Sequence, residues 1–413
     1  MISNVCRVAR FPRCRSGTGK VWMYPNKSSK CSFSSDERLR NLQESLRVSH
    51  AQNNIPESII AKVGRDLHLM SQHPLCIVKQ RVENYCQDYA ARNYGLDSKF
   101  ALHDKNFPIV DKKSCFDDLL VLEDHVSRSP SDTYYVNDEL LLRTHTSAHQ
   151  THFISSGEKM FLCSGDVYRR DEIDSSHYPV FHQMEGVKIF EDGISEEEIE
   201  KDLKELLTGL AIHLFGDVEM RWNTDYFPFT EPSFELEVNF NGKWLEVLGC
   251  GVIHKDVMHN ANNAGKKGWA FGLGLERLAM VLFQIPDIRL FWSKDERFSK
   301  QFQNINALDS SDLVKFQSYS KFPVCWKDVS FWLPTDRNFH SNDVYEVIRN
   351  VAGDLVEQVE LFDTFTNKKN GRISHAYRIN YRHMDRSLTN EEVDAVQMQI
   401  RDHLSMTLGV DLR

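Results

Sequence analysis

The chain has 413 residues, of which 41% are hydrophobic and 26% are charged, and its formal net charge is −9. This composition is ordinary for a folded globular protein, and the length favours a domain of about 250 residues together with a smaller one. No apolar run approaches the ~20 residues needed to cross a bilayer, and the acidic balance argues against general affinity for nucleic acid, so any RNA contact must come from a local basic patch.

The N-terminal segment is basic and rich in serine. Its charged side chains before Asp36 are Arg7, Arg10, Arg13, Arg15, Lys20, Lys27 and Lys30. A basic leader without acids is typical of a cleavable mitochondrial transit peptide, so we predict that residues 1–35 are removed and take no part in the fold. Loss of these seven charges would lower the formal net charge from −9 to −16. A basic tail that binds RNA is the alternative.

Six of the nine cysteines follow this leader, and the sequence contains no Cys-x-x-Cys pair among them. They are scattered along the chain: Cys76, Cys86, Cys115, Cys163, Cys250 and Cys325. We therefore expect reduced thiols, and neither a zinc site nor a disulfide framework.

Apolar residues recur at three- and four-residue intervals after Pro74, as at Val78, Val82, Tyr85 and Tyr89. This spacing predicts an amphipathic helix that begins at the proline. Its apolar face either packs against its own domain or forms an interface between two copies.

Residues 165–186 contain two stretches of alternating apolar residues separated by a polar loop. We predict a β-hairpin in which Arg169 stands just before the turn, with Arg170 on the opposite face of the strand. Gln183 and Glu185 then share one face of the returning strand. Such a hairpin can hold a phosphate group and an amino acid side by side.

Residues 234–240 alternate strictly, and Asn241-Gly242 supplies the positive φ angles of a tight turn before a second strand at 244–248. With the strands between about 160 and 190, they predict a central antiparallel sheet flanked by helices, which is an α+β core. Residues 268–280 then run from a glycine-rich strand into an apolar helix that carries Glu276 and Arg277.

After Phe302 the sequence becomes polar and irregular, and we predict a linker with one short helix at residues 292–319. The remainder is expected to form a strand, a helix, two strands, a helix and a short terminal strand, at residues 325–333, 341–359, 360–366, 375–381, 390–408 and 409–412. This βαββαβ order is that of a ferredoxin-like domain.

Three of these segments resemble the signature motifs of class II aminoacyl-tRNA synthetases. The helix after Pro74 takes the place of the first motif, and Tyr168-Arg169-Arg170-Asp171 is similar to the second, although the usual acid is Glu. Residues 268–280 are similar to the third motif, whose arginine lies over the nucleotide. Together with residues 226–233 and 244–251, the set resembles the phenylalanyl-tRNA synthetase family in its single-chain mitochondrial form.

The resemblance covers nearly everything after about residue 60. It implies a class II catalytic domain at residues 36–291, the linker at 292–319, and a ferredoxin-like anticodon-binding domain at 320–413. It also implies a monomer, despite the common use of the first motif at dimer interfaces.

Aminoacylation through an adenylate requires fixed positive charge around the α-phosphate of ATP. Arg169 and Arg277 are the predicted clamp, because a guanidinium suits bidentate phosphate binding. Mg²⁺ prefers carboxylate oxygens, and Glu246, in an otherwise apolar strand, is predicted as a ligand on the buried side, with Glu231 as a second candidate. A solvated arginine and a glutamate with an edge partner are the structural alternatives.

The resemblance implies that His145, Ser147, Gln183 and Glu185 hold the α-amino and α-carboxyl groups of the amino acid. Ala148, His149 and Gln150 then line the adjoining part of the amino-acid and ATP site. In the loop of the hairpin, Ser176, His177 and Tyr178 are expected to close on ATP and to meet the terminal adenosine of tRNA.

Phe227 and Phe229 straddle a proline and point the same way, which offers two ring edges to an aromatic substrate. Ala270 and Phe271 are expected to form a small floor to this pocket. Neither an acid nor a histidine is predicted at the far end to bind a tyrosine hydroxyl, so phenylalanine fits best.

Basic residues in the terminal domain alternate with His375, Tyr377 and Tyr381, a mixture suited to phosphates and stacked bases. They are Lys368, Lys369, Arg372, Arg378, Arg382 and Arg386. The predicted function is ATP- and Mg²⁺-dependent attachment of phenylalanine to tRNA(Phe) in the mitochondrial matrix. A catalytically silent, synthetase-like RNA-binding protein and an amide-forming ligase on the same core are the alternatives.

Overall fold

The computed structural model describes residues 35–240, 242–309, 311–318, 322–384 and 386–413. The predicted transit peptide, apart from its last residue, lies outside the described residues. From Leu42 onward the chain forms one compact unit. Among the helices of the described residues, none is long and apolar enough to cross a membrane.

Short helices and strands alternate along most of the chain. The helices are α1 (Ser35–Leu46), α2 (Glu57–Ile60), α3 (Pro74–Asn93), α4 (Lys112–Cys115), α5 (Gln150–Ser155), α6 (Glu196–Phe215), α7 (Lys255–Asn260), α8 (Leu275–Phe283), α9 (Glu296–Ser299), α10 (Ser341–Ala352) and α11 (Asn390–Leu408). The strands are β1 (Ala101–His103), β2 (Ile109–Asp111), β3 (Leu140–Leu142), β4 (Met160–Tyr168), β5 (Val180–Ile189), β6 (Met220–Phe227), β7 (Thr230–Phe240), β8 (Lys243–Ile253), β9 (Gly268–Gly274), β10 (Cys325–Trp332), β11 (Val356–Thr366), β12 (Ile373–Tyr381) and β13 (Asp411–Leu412).

The larger sheet has seven strands in the order β1-β4-β5-β9-β8-β7-β6. All neighbours are antiparallel except β1 and β4, so the predicted α+β core is confirmed with a mixed sheet. Helices α3, α6 and α8 cover one face, where Trp269, Phe271 and Leu203 are buried in a common core. The opposite face is partly open and carries the residues of the candidate site.

Helix α3 begins at Pro74, as predicted, and His73 caps it by accepting a hydrogen bond from the backbone N–H of Leu75. Its Val78 and Val82 are fully buried within its own domain. The segment predicted as a linker contains the expected short helix, α9. It also packs against the core beside the seven-stranded sheet, because Phe298, Phe302 and Phe316 are buried in the same cluster as α3. The apolar face of α3 is therefore used within the chain.

The terminal domain has the predicted βαββαβ order, with strands arranged β11-β12-β10-β13. The predicted helix at 341–359 was too long, because α10 ends at Ala352 and β11 already begins at Val356. Gly353 at the end of α10 has φ +56°, a conformation that glycine adopts without strain and that ends the helix.

The loop between β4 and β5 lies against this terminal domain. Ile173 in the loop is buried in the terminal-domain core, and its carbonyl oxygen accepts a 2.9 Å hydrogen bond from the N–H of Val359. Arg349 donates to the carbonyl oxygen of Asp171 at 2.6 Å, and Tyr178 donates to Asp354 at 2.7 Å. The loop that follows the second-motif arginine is therefore held from both domains.

Candidate active site

Glycines open the site on the uncovered face of the sheet. Gly274, Gly272 and Gly249 lie on neighbouring strands β9 and β8, with Gly272 paired to both Glu185 and Gly249. A Cβ atom added to Gly272 would meet no heavy atom within 4 Å. The absence of side chains at these positions leaves a cleft in which a flat substrate group can lie against the strands.

Arg169, at the end of strand β4, and Arg277, on helix α8, approach this face from different elements. Arg169 follows β4, its Nε donates to the carbonyl oxygen of Thr144 at 2.9 Å, and its guanidinium lies 5.2 Å from the ring centre of Phe181. No ion pair to Arg169 is found in the described part of the chain. Arg277 in α8 is half exposed and forms a 2.9 Å ion pair with Glu246. Both guanidinium groups thus retain donors for an anionic ligand.

Arg170 points away from the site, as expected for the next residue along the chain. Its guanidinium forms a 3.0 Å ion pair with Asp343 of the terminal domain and donates to the carbonyl oxygen of Pro130 at 2.6 Å. Neighbouring arginines in the second motif therefore face two different partners.

Glu246 was predicted to be buried, and this is wrong: its side chain is about half exposed, at 47%. In the pairing of β7 with β8, Leu236 is opposite Leu248 but Glu237 is opposite Glu246. The extra residue, Val247, forms a bulge that moves Glu246 to the opposite face from Leu248. Strict alternation of residues therefore predicts the wrong face for Glu246.

Glu246 belongs to a group of carboxylates that the sequence did not reveal. Partial burial and the neighbouring Asp225 and Glu246 raise the pKa of Glu235 to about 7. Glu237 lies directly opposite Glu246 on β7, where Arg221 is its ion-pair partner. Such crowding of negative charge on the open face is suited to a divalent cation. The alternating acids Glu235 and Glu237 of β7 were the signal for this group in the sequence. That Glu246 shares their face follows only from the bulge in β8.

Glu231 does not join this group. It precedes Glu237 by six residues on β7, a separation of roughly 20 Å along a strand. Its carboxylate lies 3.4 Å from His254 instead. Glu231, the second candidate for the metal, therefore lies apart from the carboxylates near Glu246.

Glu185 is a buried carboxylate with no hydrogen-bond partner among the described residues. Its side chain faces the site from β5, the residue is 3% exposed, and both oxygens lack a partner. Burial raises the pKa of Glu185 to about 8, and the nearby Ser147 offsets this only in part. Gln183 precedes it by two residues and shares its face. The pair can accept hydrogen bonds from a cationic group.

The segment before α5 forms a 3₁₀ turn, Thr146–His149, beside Glu185. Burial, reinforced by Arg169, lowers the pKa of His145 to about 3, so its imidazole is neutral. His145 Nδ1 and Gln150 Oε1 both lack partners in the described residues, and they remain available to a ligand.

Two predicted site residues in this segment are used within the fold. His149 is buried, and its Nε2 lies 2.9 Å from Nη1 of Arg143. Arg143 also donates to Asp166 at 2.5 Å, so the imidazole belongs to a buried polar network. Ala148 is packed in the apolar cluster beneath the site, together with Val187.

Phe227 and Phe229 form the predicted aromatic pair. Their rings are stacked, with centres 6.0 Å apart and planes inclined by 12°. The Phe227 ring lies over Gly249, where an added Cβ would come within 2.7 Å of Cζ. Phe229 also lies 6.4 Å from the ring of His145, so the aromatic pair borders the polar groups of the site.

Ala270 and Phe271 do not form a common floor. Ala270 is in the cluster on the site face with Val187, whereas Phe271 is buried among the helices behind the sheet, against Trp269. Successive residues of a strand point to opposite faces, so only Ala270 can border the pocket. The prediction for Phe271 is wrong.

The hairpin loop is only partly available to a substrate. Ser176 is exposed, and His177 Nδ1 lies 2.7 Å from Asp174, which raises the pKa of the imidazole. Tyr178 was expected at the ATP site, but it is buried and its hydroxyl is bound to Asp354 of the terminal domain. Packing between the two domains, which the sequence did not reveal, directs this side chain away.

The six basic residues of the terminal domain do not share one face. The guanidinium of Arg378 stacks on Trp326 at 4.4 Å and that of Arg372 on Trp332 at 5.3 Å, both on the open face of the sheet. Lys368 and Lys369 are exposed between β11 and β12. All four arginines are ion-paired: Arg378 with Asp328 at 2.9 Å, Arg372 with Asp411, and, away from that face, Arg382 with Glu357 at 3.0 Å and Arg386 with Glu392 at 2.9 Å.

Comparison with known proteins identifies both domains. Residues 66–302 match the family of tRNA synthetase class II core domains, and residues 320–413 match the ferredoxin-fold anticodon-binding domain. A mitochondrial phenylalanine–tRNA ligase of Dictyostelium discoideum is 47% identical, covering 87% of this chain and 89% of its own length. The chain belongs to the phenylalanine–tRNA ligase family. The resemblance seen in the motifs is thereby confirmed.

Other phenylalanine–tRNA ligases match over similar spans. The chloroplastic/mitochondrial enzyme of Arabidopsis thaliana is 52% identical over 89% of this chain and 84% of its own length. The mitochondrial enzyme of Mus musculus is 46% identical over 90% of this chain and 88% of its own length. Similarity to these phenylalanine–tRNA ligases therefore extends across both domains.

Proposed function

We propose that this protein activates phenylalanine with ATP and transfers it to mitochondrial tRNA(Phe) in the matrix. The observation that carries the proposal is that an unpartnered buried carboxylate, Glu185, and the stacked rings of Phe227 and Phe229 border one glycine-lined part of the sheet, because Gly272 pairs with both Glu185 and Gly249 and the ring of Phe227 lies over Gly249. A carboxylate next to an aromatic slot suits an amino acid with a ring side chain. Phenylalanine-dependent exchange of pyrophosphate into ATP tests the proposal, and a catalytically silent RNA-binding protein would show none.

In the first step, a carboxylate oxygen of phenylalanine attacks the α-phosphorus of ATP. The bond from that phosphorus to the bridging oxygen breaks, and pyrophosphate leaves. Gln183 and Glu185 hold the α-ammonium group, which orients the carboxylate for attack. Arg169 and Arg277 offset the negative charge that develops on the phosphate, and their approach from a strand end and a helix lets them hold separate oxygens.

The carboxylates near Glu246 fit a bound Mg²⁺. Burial and the neighbouring Asp225 and Glu246 raise the pKa of Glu235, and a divalent cation would relieve the repulsion between these carboxylates. Mg²⁺ bound there would neutralise charge on the pyrophosphate leaving group. Glu246 also forms an ion pair with Arg277.

In the second step, a hydroxyl of the terminal adenosine attacks the phenylalanyl carbonyl and AMP leaves. Ser176 and His177, in the loop beside the site, are the residues proposed to meet this end of tRNA.

We also propose the division of the chain into catalytic, linker and anticodon-binding segments at residues 36–291, 292–319 and 320–413, and a monomeric state. Burial of the apolar face of α3 within its own domain supports the monomer.

Substituting Ala270 with glycine is expected to admit larger phenylalanine analogues. Ala270 packs with Val187 on the site face and is 6% exposed, so removal of its methyl enlarges the end of the pocket. One methylene in an apolar pocket changes discrimination by about 1–3 kcal/mol. We expect exchange with para-chlorophenylalanine to rise at least about fivefold relative to phenylalanine. Unchanged discrimination would place the pocket floor elsewhere. Ala279→Gly, in the core of α8, is the control.

Substituting Trp326 with alanine is expected to weaken tRNA charging while exchange is unchanged. Trp326 is 57% exposed on the sheet face of the terminal domain and stacks with Arg378. Stacking of an unpaired base on an aromatic ring is worth about 1–3 kcal/mol, so KM for tRNA should rise about fivefold or more. The exposed Met398 of α11 provides the control, as Met398→Ala. If Trp326→Ala and Met398→Ala have the same KM for tRNA, this face of the sheet does not bind RNA.

A further inference from the structure

One hydrogen-bond position of the central sheet is filled by a side chain instead of a strand. Strands β5 and β9 pair from Ile189 and Gly268 up to Gln183 and Gly274. At the next position β9 has ended and α8 begins at Leu275, so the N–H of His182 has no strand partner on that side. The carboxylate of Glu276 takes this place, with Oε2 accepting from the N–H of His182 at 2.7 Å.

The same carboxylate also binds the imidazole of His182. Oε1 of Glu276 lies 2.7 Å from Nδ1 of His182, so both oxygens are engaged by one residue. Glu276 is 3% exposed and His182 is 0% exposed. In such a site a hydrogen bond to a carboxylate is strong, and breaking one partner is costly.

Aromatic rings fix the imidazole of His182. His68 lies on one neighbouring element with its ring centre 5.1 Å away, and Trp292 is stacked at 6.1 Å with a 28° inclination. The ring therefore has little freedom to follow Glu276 if α8 moves. The contact acts as a rigid joint between β5 and the start of α8.

Each partner stands next to a residue proposed to bind substrate. His182 immediately precedes Gln183, on the amino-acid side of the site, and Glu276 immediately precedes Arg277, on the nucleotide side. We propose that His182 and Glu276 are positioning residues that fix the amino-acid site and the nucleotide site relative to each other. This inference rests on the proposed function, because it assigns the two neighbours to two substrates. A shift of Arg277 against Gln183 would misalign the α-phosphate with the attacking carboxylate.

The test compares Glu276→Asp with Glu276→Gln. Asp is shorter by one methylene and cannot reach both donors of His182, whereas Gln can accept from the N–H and donate to Nδ1 of the other imidazole tautomer. We expect Glu276→Asp to lower kcat for ATP–pyrophosphate exchange by about ten- to a hundredfold and to raise KM for both ATP and phenylalanine. Glu276→Gln should stay within about threefold of wild type.

Glu83→Asp is the matched control. Glu83 also belongs to a buried ion pair, 2.8 Å from Lys79, but on helix α3. This variant is expected to lower Tm with unchanged exchange kinetics. Rates are referred to active sites counted by the burst of adenylate, so partial unfolding does not enter kcat.

Three results would overturn the inference. They are kinetics of Glu276→Asp within twofold of wild type, a rise in only one of the two KM values, or equal loss in Glu276→Asp and Glu276→Gln. If Glu276→Asp does not fold, His182→Gln is measured by the same criteria. Absence of phenylalanine-dependent exchange in the wild-type protein would instead reject the proposed function.

Discussion

Replacing Arg277 with alanine is expected to lower ATP–pyrophosphate exchange by about 10²–10³-fold, which corresponds to about 3–4 kcal/mol of transition-state stabilisation. The guanidinium is half exposed and its ion pair is with Glu246, so its removal leaves the core intact. The loss should appear mainly in kcat, since the contact is strongest when charge develops on the α-phosphate. Exchange assays with saturating ATP and phenylalanine measure this directly.

Arg47→Ala is the control for this substitution. Arg47 is an exposed arginine that pairs with Glu57, outside the candidate site. Its removal should leave exchange unchanged, because an exposed ion pair contributes little to stability. Retention of more than a tenth of the wild-type rate by Arg277→Ala would remove Arg277 from the phosphate clamp.

Replacing Glu185 with glutamine is expected to reduce kcat/KM for phenylalanine by at least about thirtyfold, equivalent to about 2 kcal/mol. The α-ammonium group of the substrate loses its only proposed anionic partner in an apolar part of the site. The substitution removes no proposed contact with ATP. The value of kcat/KM for ATP at saturating phenylalanine therefore serves as the internal control.

The pH dependence of the wild-type protein gives the same residue a second test. Because burial raises the pKa of Glu185 to about 8, its carboxyl group is protonated at lower pH in the free protein. Ammonium binding requires the carboxylate, so kcat/KM for phenylalanine should rise up to about tenfold per pH unit and level off near pH 8. Glu185→Gln should lose this slope. We expect Glu185 to titrate between about pH 6.5 and 8. A wild-type profile of kcat/KM for phenylalanine that is flat over this range would contradict the assignment.

The stability of the folded protein should fall as pH rises, whereas kcat/KM for phenylalanine should increase. A carboxyl group whose pKa is raised by folding destabilises the protein as pH rises from its usual value toward about 8. Glu185→Gln is therefore expected to raise Tm at pH 8 while it lowers activity. Such a trade-off is common for residues that are kept for function.

Local patterns in the sequence were sufficient for much of the fold. The hairpin of β4 and β5, the start of α3 at Pro74 and the pairing of β7 with β8 follow from periodicity and turn residues. These features depend on neighbours in the chain. The end of α10 was missed because Gly353 competes with an apolar pattern that continues into β11.

Features that depend on distant contacts were not predictable in the same way. The bulge at Val247 exposes Glu246, and packing between domains withdraws Tyr178. Phe271 was assigned to the pocket although its neighbour Ala270 faces the site, which strand alternation alone should have excluded. The bond between His182 and Glu276 joins residues 94 positions apart, so no local pattern could have indicated it.

The central claim is tested most directly by ATP–pyrophosphate exchange with each of the twenty amino acids in turn. The polar groups at Glu185 and the stacked rings of Phe227 and Phe229 predict exchange with phenylalanine, and much weaker exchange with tyrosine. An apolar pocket rejects an added hydroxyl by only about a hundredfold, so the signal with tyrosine should be detectable at high concentration. Exchange that is strongest with another amino acid, or that is absent with all twenty, would contradict the account.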